Sequence, residues 1–228
     1  MKKIDYTVFH CPDVKLRKRD AVKLRGYIGN VFREVSPLLH NHFEDGTLRY
    51  KYPLVQYKVI EEQPFIVGLD EGARLLREIF LDIKEFLVDD ERIAVREKYL
   101  GSDMRYLGVD DELHSYEFLT NWMALNDENF KKYLAITHAL ERQDFLRKIL
   151  TGNFLSLFKS LGHHEEKQIM AIVDVRGDHS NFKDNRMLVF KGEFTSNVLL
   201  PPLIGIGKAV SRGFGSIKEK GSELVSYD

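Results

Sequence analysis

The feature that most constrains the fold is an order of β-like and helical stretches that runs similarly through both halves of the 228-residue chain. Strands are predicted where apolar residues alternate or where Tyr, Val and Leu cluster, and helices where apolar residues recur at helical spacing. The first half is predicted to run strand, helix, strand, strand, helix and strand, over residues 4–9, 15–32, 48–59, 64–69, 72–83 and 93–99. Residues 61–63 are predicted to turn between the two middle strands.

The second half is predicted to follow the same order less regularly. Its strands are expected at residues 113–119, 167–175, 187–194 and 216–224. A long helix is expected over 130–161, with a start signal at 126–129 and Gly152 as the point where it would break. The polar stretch 176–186 is expected to join the two strongest strands.

Two successive β-α-β-β-α-β units are the economical solution for such an order, because each unit packs two helices on one face of an antiparallel sheet. The sequence therefore predicts an α+β fold of two tandem ferredoxin-like (RRM-like) domains. Gly and Asp residues between 101 and 111 indicate the boundary, so the domains are expected at 1–108 and 109–228.

Composition narrows the class of protein. With 43% hydrophobic and 30% charged residues, the chain is typical of a soluble globular protein. Its single cysteine, Cys11, excludes an intrachain disulfide, and with no apolar stretch at the N-terminus it favours the cytoplasm. The sequence contains no run of about eighteen apolar residues, so no membrane-spanning helix is predicted. A net charge of −1 counts against indiscriminate binding to nucleic acid.

Positive charge is nevertheless concentrated near the N-terminus. Between residues 15 and 25, a single acidic residue, Asp20, stands among Lys15, Arg17, Lys18, Arg19, Lys23 and Arg25. Such a run is typical of a solvated helix face, or of a basic patch that binds a polyanion. Both interpretations stay open from the sequence.

Residues 205–215 carry two Gly-x-Gly pairs with two cations between them. The glycines Gly205, Gly207, Gly213 and Gly215 allow positive φ and close approach of another molecule's backbone. Lys208 and Arg212 would lie on one side of a helical turn, where they would favour an anion such as phosphate. The segment matches neither a Walker loop nor a dinucleotide fingerprint. It predicts contact with an anion or nucleic acid, with a flexible loop as the alternative.

Two histidines, His40 and His42, stand two residues apart and would point to one side of an extended chain. One neutral imidazole could remove the proton from a ribose 2′-OH while a second group protonates the leaving 5′ oxygen. An unperturbed pKa of about 6.5 suits both tasks, and a nearby cation would stabilise the charged phosphorane. The alternative is a structural role in a loop. No metal site is expected, because the pair lacks a third ligand at a known zinc spacing.

Four stretches together resemble the CRISPR-associated endoribonucleases that process precursor CRISPR RNA, in their subtype I-B-like branch. They are residues 39–42, 52–58, 67–73 and 205–215. The resemblance spans nearly the whole chain but finds no motif in about 85–161. It implies two ferredoxin-like domains and a Gly-rich loop that helps to hold repeat RNA. It also implies cleavage without a metal or other cofactor, leaving a 2′,3′-cyclic phosphate and a 5′-OH.

The resemblance also assigns residues. His40 and His42 correspond to the family's paired histidines, and Tyr50 to the accompanying tyrosine, with Tyr52 as the alternative. Arg33 stands where a lysine is expected ahead of the histidines. Lys208, Arg212 and the four glycines are expected to contact RNA. Which histidine is the acid and which the base stays open.

The partner expected from the resemblance is CRISPR repeat RNA. No interaction with a membrane is expected. Other subunits of a CRISPR effector complex and a second copy of the chain are further candidate partners. Two other functions stay open: a non-catalytic RNA-binding subunit of a ribonucleoprotein, and a regulatory protein with ferredoxin-like halves that binds a small nucleotide.

Overall fold

The computed structural model describes residues 1–39, 52–182 and 185–224, which fall into two compact units. The N-terminal unit contains Lys3–Arg105 together with Val210–Gly213 from the far end of the chain. The C-terminal unit contains Met1–Lys2, Tyr106–Ala209 and Phe214–Leu224.

The N-terminal unit follows the predicted β-α-β-β-α-β order, with a small hairpin before its last strand. Its elements are β1 (Lys2–His10), α1 (Ala21–Val31), β2 (Val55–Ile60), β3 (Gln63–Leu69), α2 (Glu71–Ile79), β4 (Glu85–Val88), β5 (Glu91–Ala94) and the first part of β6 (Tyr99–Phe118). The sheet order is β2-β3-β1-β6, and β3 is antiparallel to both β1 and β2. Glu61 and Glu62, both at positive φ, form the predicted turn between β2 and β3.

The two helices cover the core of this unit with their apolar sides. Helix α2 buries Ala73, Leu76 and Ile79, as its spacing predicts. Helix α1 buries Leu24 and Ile28 but leaves the predicted apolar positions Val22 and Val31 exposed. Strand β2 is buried along its whole length, including its polar residues.

The strand predicted at 93–99 is wrong in its position. Residues 91–94 instead pair with β4 as β5, and the last strand of the unit begins at Tyr99. The reason is a two-residue turn at Asp89 and Asp90, both at positive φ, a conformation that Asp tolerates better than most residues. The first part of the strand predicted at 48–59 lies outside the described residues, and β2 begins at Val55.

The C-terminal unit repeats this sheet with one helical crossover. Its elements are the second part of β6, α3 (Asp127–Ala135), α4 (Ala139–Ser160), β7 (Ala171–Phe182), β8 (Asn185–Leu199) and β9 (Ile217–Glu219). The order β9-β6-β8-β7 matches that of the N-terminal sheet. Residues 200–216, all of them described, contain no helix and carry the Gly-rich segment. The two domains are tandem ferredoxin-like folds, which confirms the predicted α+β class.

The helix predicted over 130–161 is two helices, and the break lies before its predicted position. Ile136 and His138 take extended conformations between α3 and α4, and Arg142 Nε donates to the Ile136 carbonyl at 2.8 Å. Gly152 stays inside α4, where a Cβ would meet nothing within 4 Å. Ile136 and Thr137, at the break, are both β-branched, which lowers their helix propensity.

The polar stretch 176–186 was expected to join two strands, but most of it belongs to them. Pairing of β7 with β8 runs from Ala171↔Ser196 to Phe182↔Asn185. Polar residues can occupy such strands where their side chains reach solvent, as those of Arg176, His179 and Arg186 do, and Asp178 forms a cross-strand ion pair with Lys191.

Among the helices in the described ranges, none combines the length and the apolar character needed to cross a bilayer.

The predicted start of helix α3 is confirmed, because Asn126 Oδ1 accepts a hydrogen bond from the Asn129 N–H at 2.7 Å. We expect Asn126→Ala to destabilise the C-terminal unit by about 1 kcal/mol, since it leaves that donor without its cap. Asn126→Asp keeps the acceptor and should remain within a few tenths of a kcal/mol of the wild type. Urea unfolding followed through Trp122, the single tryptophan, measures both. Equal stability of all three proteins would contradict a capping role.

Candidate nucleic-acid interface

The predicted catalytic residues His40, His42 and Tyr50 lie outside the described residues, but the chain is described up to Leu39. Leu39 ends a 3-10 turn, Pro37–Leu39, and is 1% exposed. Its carbonyl accepts a hydrogen bond from the Tyr57 hydroxyl at 3.2 Å. Strand β2 therefore fixes the chain immediately before His40.

The chain is fixed again at Pro53 and Leu54. Gln56 Nε2 donates to the Pro53 carbonyl at 3.1 Å, and the Leu69 N–H donates to the Leu54 carbonyl at 2.9 Å. A Cβ at position 72 would lie 2.2 Å from the Leu54 oxygen, so only glycine fits at the start of α2. Tyr52, the alternative to Tyr50, is half-buried next to this anchor. Strands β2 and β3 thus hold the chain shortly after position 50.

Arg33 lies in a turn just after helix α1. Its Nε donates to Glu34 Oε1 at 3.0 Å, and the two side chains are 67% and 85% exposed. An ion pair this exposed contributes little stability. The guanidinium can therefore exchange Glu34 for a phosphate at low cost.

The Gly-rich segment does not form the helical turn considered for Lys208 and Arg212. Ala209 lies between them in a left-handed conformation, with φ of 54°, which interrupts any helix. Residues up to Ala209 belong to the C-terminal unit, and Val210–Gly213 to the N-terminal unit. Lys208 is exposed and Arg212 half-buried.

In the C-terminal unit, three glycines of this segment lie where the backbone packs closely. Gly207 has φ of 95°, and a Cβ there would lie 2.7 Å from Trp122 Nε1. Gly215 has φ of 66°, and a Cβ there would lie 2.0 Å from the Ile206 oxygen. Gly205 is buried and forms a β-bridge with Ser216. Gly207 and Gly215 are therefore required by the fold itself, whether or not RNA is bound.

Lys208 is held by its backbone in the same unit. Its N–H donates to the Met123 carbonyl at 2.9 Å, next to the residue that Gly207 packs against. The side chain is exposed. A fixed backbone with an exposed ammonium group is a suitable arrangement for binding phosphate.

In the N-terminal unit, residues 210–213 lie along strand β2. Arg212 forms a parallel β-bridge with Tyr57, and Lys58 Nζ donates to the Val210 carbonyl at 2.9 Å. Gly213 has φ of 93°, and a Cβ there would lie 2.8 Å from the Ala21 Cβ. The segment therefore needs glycine where it passes Ala21 at the start of helix α1.

Burial shifts the pKa values of several ionisable groups of this unit, among them Arg25, Tyr57 and Lys58. Burial, and then the positive charge of Arg212, lower the pKa of Arg25. Burial also lowers the pKa of Lys58 to about 7 and raises that of Tyr57. The buried guanidinium group of Arg25 and the half-buried one of Arg212 would each be stabilised by an anion beside them.

Arg25 and Lys58 were not among the predicted site residues. For Lys58, the signal in the sequence is a lysine inside a mostly apolar strand. Arg25 was counted only within the basic run 15–25, which has mixed roles in the structure. Lys23 Nζ bonds Asp20 Oδ1 at 2.9 Å and also pairs with Asp89. Lys15, Lys18 and Arg19 remain exposed.

Within the part of the chain that the structure describes, no three His, Cys, Asp or Glu side chains are grouped so as to hold a metal ion.

We expect Gly215→Ala to destabilise the C-terminal unit by about 3 kcal/mol or more, because its Cβ would clash with the Ile206 backbone as well as adopt positive φ. Gly221→Ala is the matched control, since Gly221 also has positive φ, 81°, but has open space around it. It should cost about 1–2 kcal/mol. Urea unfolding followed through Trp122 compares them, and equal losses would contradict the packing argument.

The pKa of Lys58 predicts a pH dependence. In the unfolded chain this amine has a pKa of about 10.4, so between that value and the folded value of about 7 unfolding takes up a proton. The stability of the wild type should therefore rise with pH across this window, by at most about 1.4 kcal/mol per pH unit. Lys58→Met should lack this gain. Urea unfolding of both proteins at pH 7, 8 and 9 measures the difference, and parallel pH curves would contradict a buried, neutral amine.

Two family models together cover almost the whole chain. The Cas6b N-terminal domain matches residues 2–105, and the Cas6b C-terminal domain matches residues 108–220.

Two proteins of known structure give the same result, and a third protein is similar over part of the chain. A Cas6b of known crystal structure is 33% identical in sequence to this chain. The match has a TM-score of 0.90 and covers 96% of this chain and 100% of that one. The CRISPR RNA processing endoribonuclease Cas6b is 32% identical, with a TM-score of 0.77 and the same coverage. An uncharacterised protein of Methanocaldococcus jannaschii is 33% identical over 141 residues, 61% of this chain and 95% of that protein. Because both halves match the same family over nearly their full length, the chain belongs to the Cas6b family.

Proposed function

We propose that the chain cleaves CRISPR repeat RNA as a metal-independent endoribonuclease. The observation that carries the proposal is its full-length similarity, at 32% identity, to a solved Cas6b that is a CRISPR RNA processing endoribonuclease. In the reaction, the ribose 2′ oxygen attacks the adjacent phosphorus and the 5′ oxygen leaves. The products are a 2′,3′-cyclic phosphate and a 5′-OH.

His40 and His42 share the roles of general base and general acid in this proposal, and Tyr50 assists them. The base takes the proton of the 2′-OH, and the acid gives a proton to the leaving 5′ oxygen. What supports their placement is the fixed backbone of Leu39, which enters the pair directly. A reacting group on an anchored chain loses less entropy when it meets its substrate.

RNA phosphates are bound by Arg33, Lys208 and Arg212. Support comes from their surroundings: Arg33 and Lys208 are exposed, and Arg212 is half-buried beside Tyr57 of strand β2. The glycines Gly205, Gly207, Gly213 and Gly215 shape the segment that carries the last two cations, and their backbone contacts RNA in this proposal.

The proposal extends to domains and partners. The functional domains are residues 1–108, with the histidine pair, and 109–228, with the Gly-rich connection. The protein acts in the cytoplasm, and its further partners are other subunits of a CRISPR effector complex and a second copy of the chain.

The function is tested with labelled CRISPR repeat RNA in EDTA, comparing wild type with His40→Ala/His42→Ala. We expect one cut by the wild type and a loss of at least about 100-fold in the variant, since positioned acid and base groups contribute that much or more. His164→Ala, at an exposed histidine in the C-terminal unit, is the matched control and should cut normally. A 2′-deoxy substitution at the cut should block cleavage.

Other outcomes would contradict the proposal in distinct ways. Unaltered cleavage by the double variant would exclude the histidines, and cleavage abolished by EDTA would exclude a metal-independent reaction. Tight, salt-sensitive binding without a cut would identify a non-catalytic RNA-binding subunit. Preference for a mononucleotide, with a shallow salt dependence, would identify a nucleotide-binding regulator.

A further inference from the structure

Strand β2 is the edge strand of the N-terminal sheet, yet all six of its residues are buried. Strand β3 pairs with it on one side, and Arg212 meets Tyr57 through a parallel bridge. An edge strand is commonly protected by a covering loop. Here the covering loop is the part of the Gly-rich segment that carries a predicted RNA-binding cation.

Tyr57 and Lys58 are neighbours on this strand, so their side chains leave on opposite faces of the sheet. The Tyr57 hydroxyl reaches the Leu39 carbonyl, one residue before His40. Lys58 Nζ reaches the Val210 carbonyl, two residues before Arg212. Two consecutive residues thus hold the chain beside both groups of predicted site residues.

The hydrogen bond from Lys58 is unusual because it requires an amine to be buried, at a cost in hydration free energy. The side chain is 0% exposed, and an amine taken out of water loses more hydration free energy than one hydrogen bond to a carbonyl returns. An apolar side chain of similar length would fill the same space without that penalty. What only the amine supplies is a directional bond to Val210, over a separation of 152 residues.

We propose that Tyr57 and Lys58 are positioning residues for RNA cleavage, Tyr57 fixing the backbone that enters His40 and Lys58 fixing the turn that carries Arg212. This inference rests on the proposed function. Neither side chain touches RNA, because both are buried. Tyr57 acts on the rate of cleavage through His40, and Lys58 acts on RNA affinity through Arg212.

The first experiment needs no RNA. Trypsin cleaves after Arg212, and Lys58→Met keeps the length of the side chain but removes its donor. We expect the Arg212–Gly213 bond of folded Lys58→Met to be cut about tenfold faster than in the wild type, because a released turn opens locally more often. Lys98→Met is the matched control, since Lys98 Nζ also donates to a backbone carbonyl, that of Leu81, at 3.0 Å. It should leave the bond protected.

The second experiment measures repeat RNA binding. Lys58→Met should lower the salt slope of binding by about one, as loss of a single phosphate contact does. Arg212→Gln should lower it equally, and the double variant should bind no more weakly than Arg212→Gln alone, because coupled residues are non-additive. Additive losses would overturn the assignment of Lys58 to Arg212.

Tyr57→Phe keeps the ring and removes only the hydroxyl, so it tests the other half of the proposal even if Lys58→Met fails to fold. We expect single-turnover cleavage at saturating enzyme to slow about tenfold or more, with RNA affinity within about twofold of wild type. A purely structural role would lower both together, and an unchanged rate would overturn the role of Tyr57.

The outcomes separate this proposal from the function beneath it. If the wild type does not cut repeat RNA, the proposed function fails, while the trypsin comparison still shows whether Lys58 holds the turn. If Lys58→Met leaves the Arg212–Gly213 bond as protected as in wild type, the positioning role is overturned whatever the RNA results are.

Discussion

The complete burial of strand β2 is the constraint on which the rest of the N-terminal unit depends. A strand at the edge of a sheet normally exposes backbone groups on one side. Here the Val210–Gly213 segment lies against that strand, and glycine at position 213 is required because the segment also passes close to Ala21 of helix α1. The same strand anchors Leu39 through Tyr57. Because of this burial, one rigid element can fix two distant parts of the sequence.

The two sheets show how a repeated fold is adapted. Both have the same strand order. Between the third and fourth strands, however, the N-terminal domain has helix α2 and the C-terminal domain has the Gly-rich connection. A helix would satisfy its own backbone groups. An irregular connection leaves some of them available to pack against neighbouring strands or to bind a ligand. Positive φ at Gly207 and Gly215 makes such a connection possible in little space.

Much of the fold could be predicted from local sequence because local chemistry determined it. Asn126 caps a helix through its own side chain, and the 61–63 turn closes a hairpin between adjacent strands. The errors arose where the decisive contact was distant or the signal faint. The β7–β8 strands extend through polar residues, and the left-handed Ala209 removed an expected helical turn.

The site was harder to predict than the fold for the same reason. The sequence singles out His40, His42 and the glycines as a pattern, but the role of Lys58 depends on Val210, 152 residues away. A lysine in an apolar strand predicts burial or an edge, and only the tertiary structure distinguishes them. Arg25 was hidden in the same way among cations that remain at the surface.

In the proposed function, the chain around His40 and the Gly-rich segment bind the same RNA. Hydrogen exchange with and without a repeat RNA carrying a 2′-deoxy residue at the cut tests it directly, because that RNA binds without being consumed. We expect slower exchange both in peptides covering 33–54 and in peptides covering 205–215. Slower exchange in only one of these segments, or in neither, would contradict it.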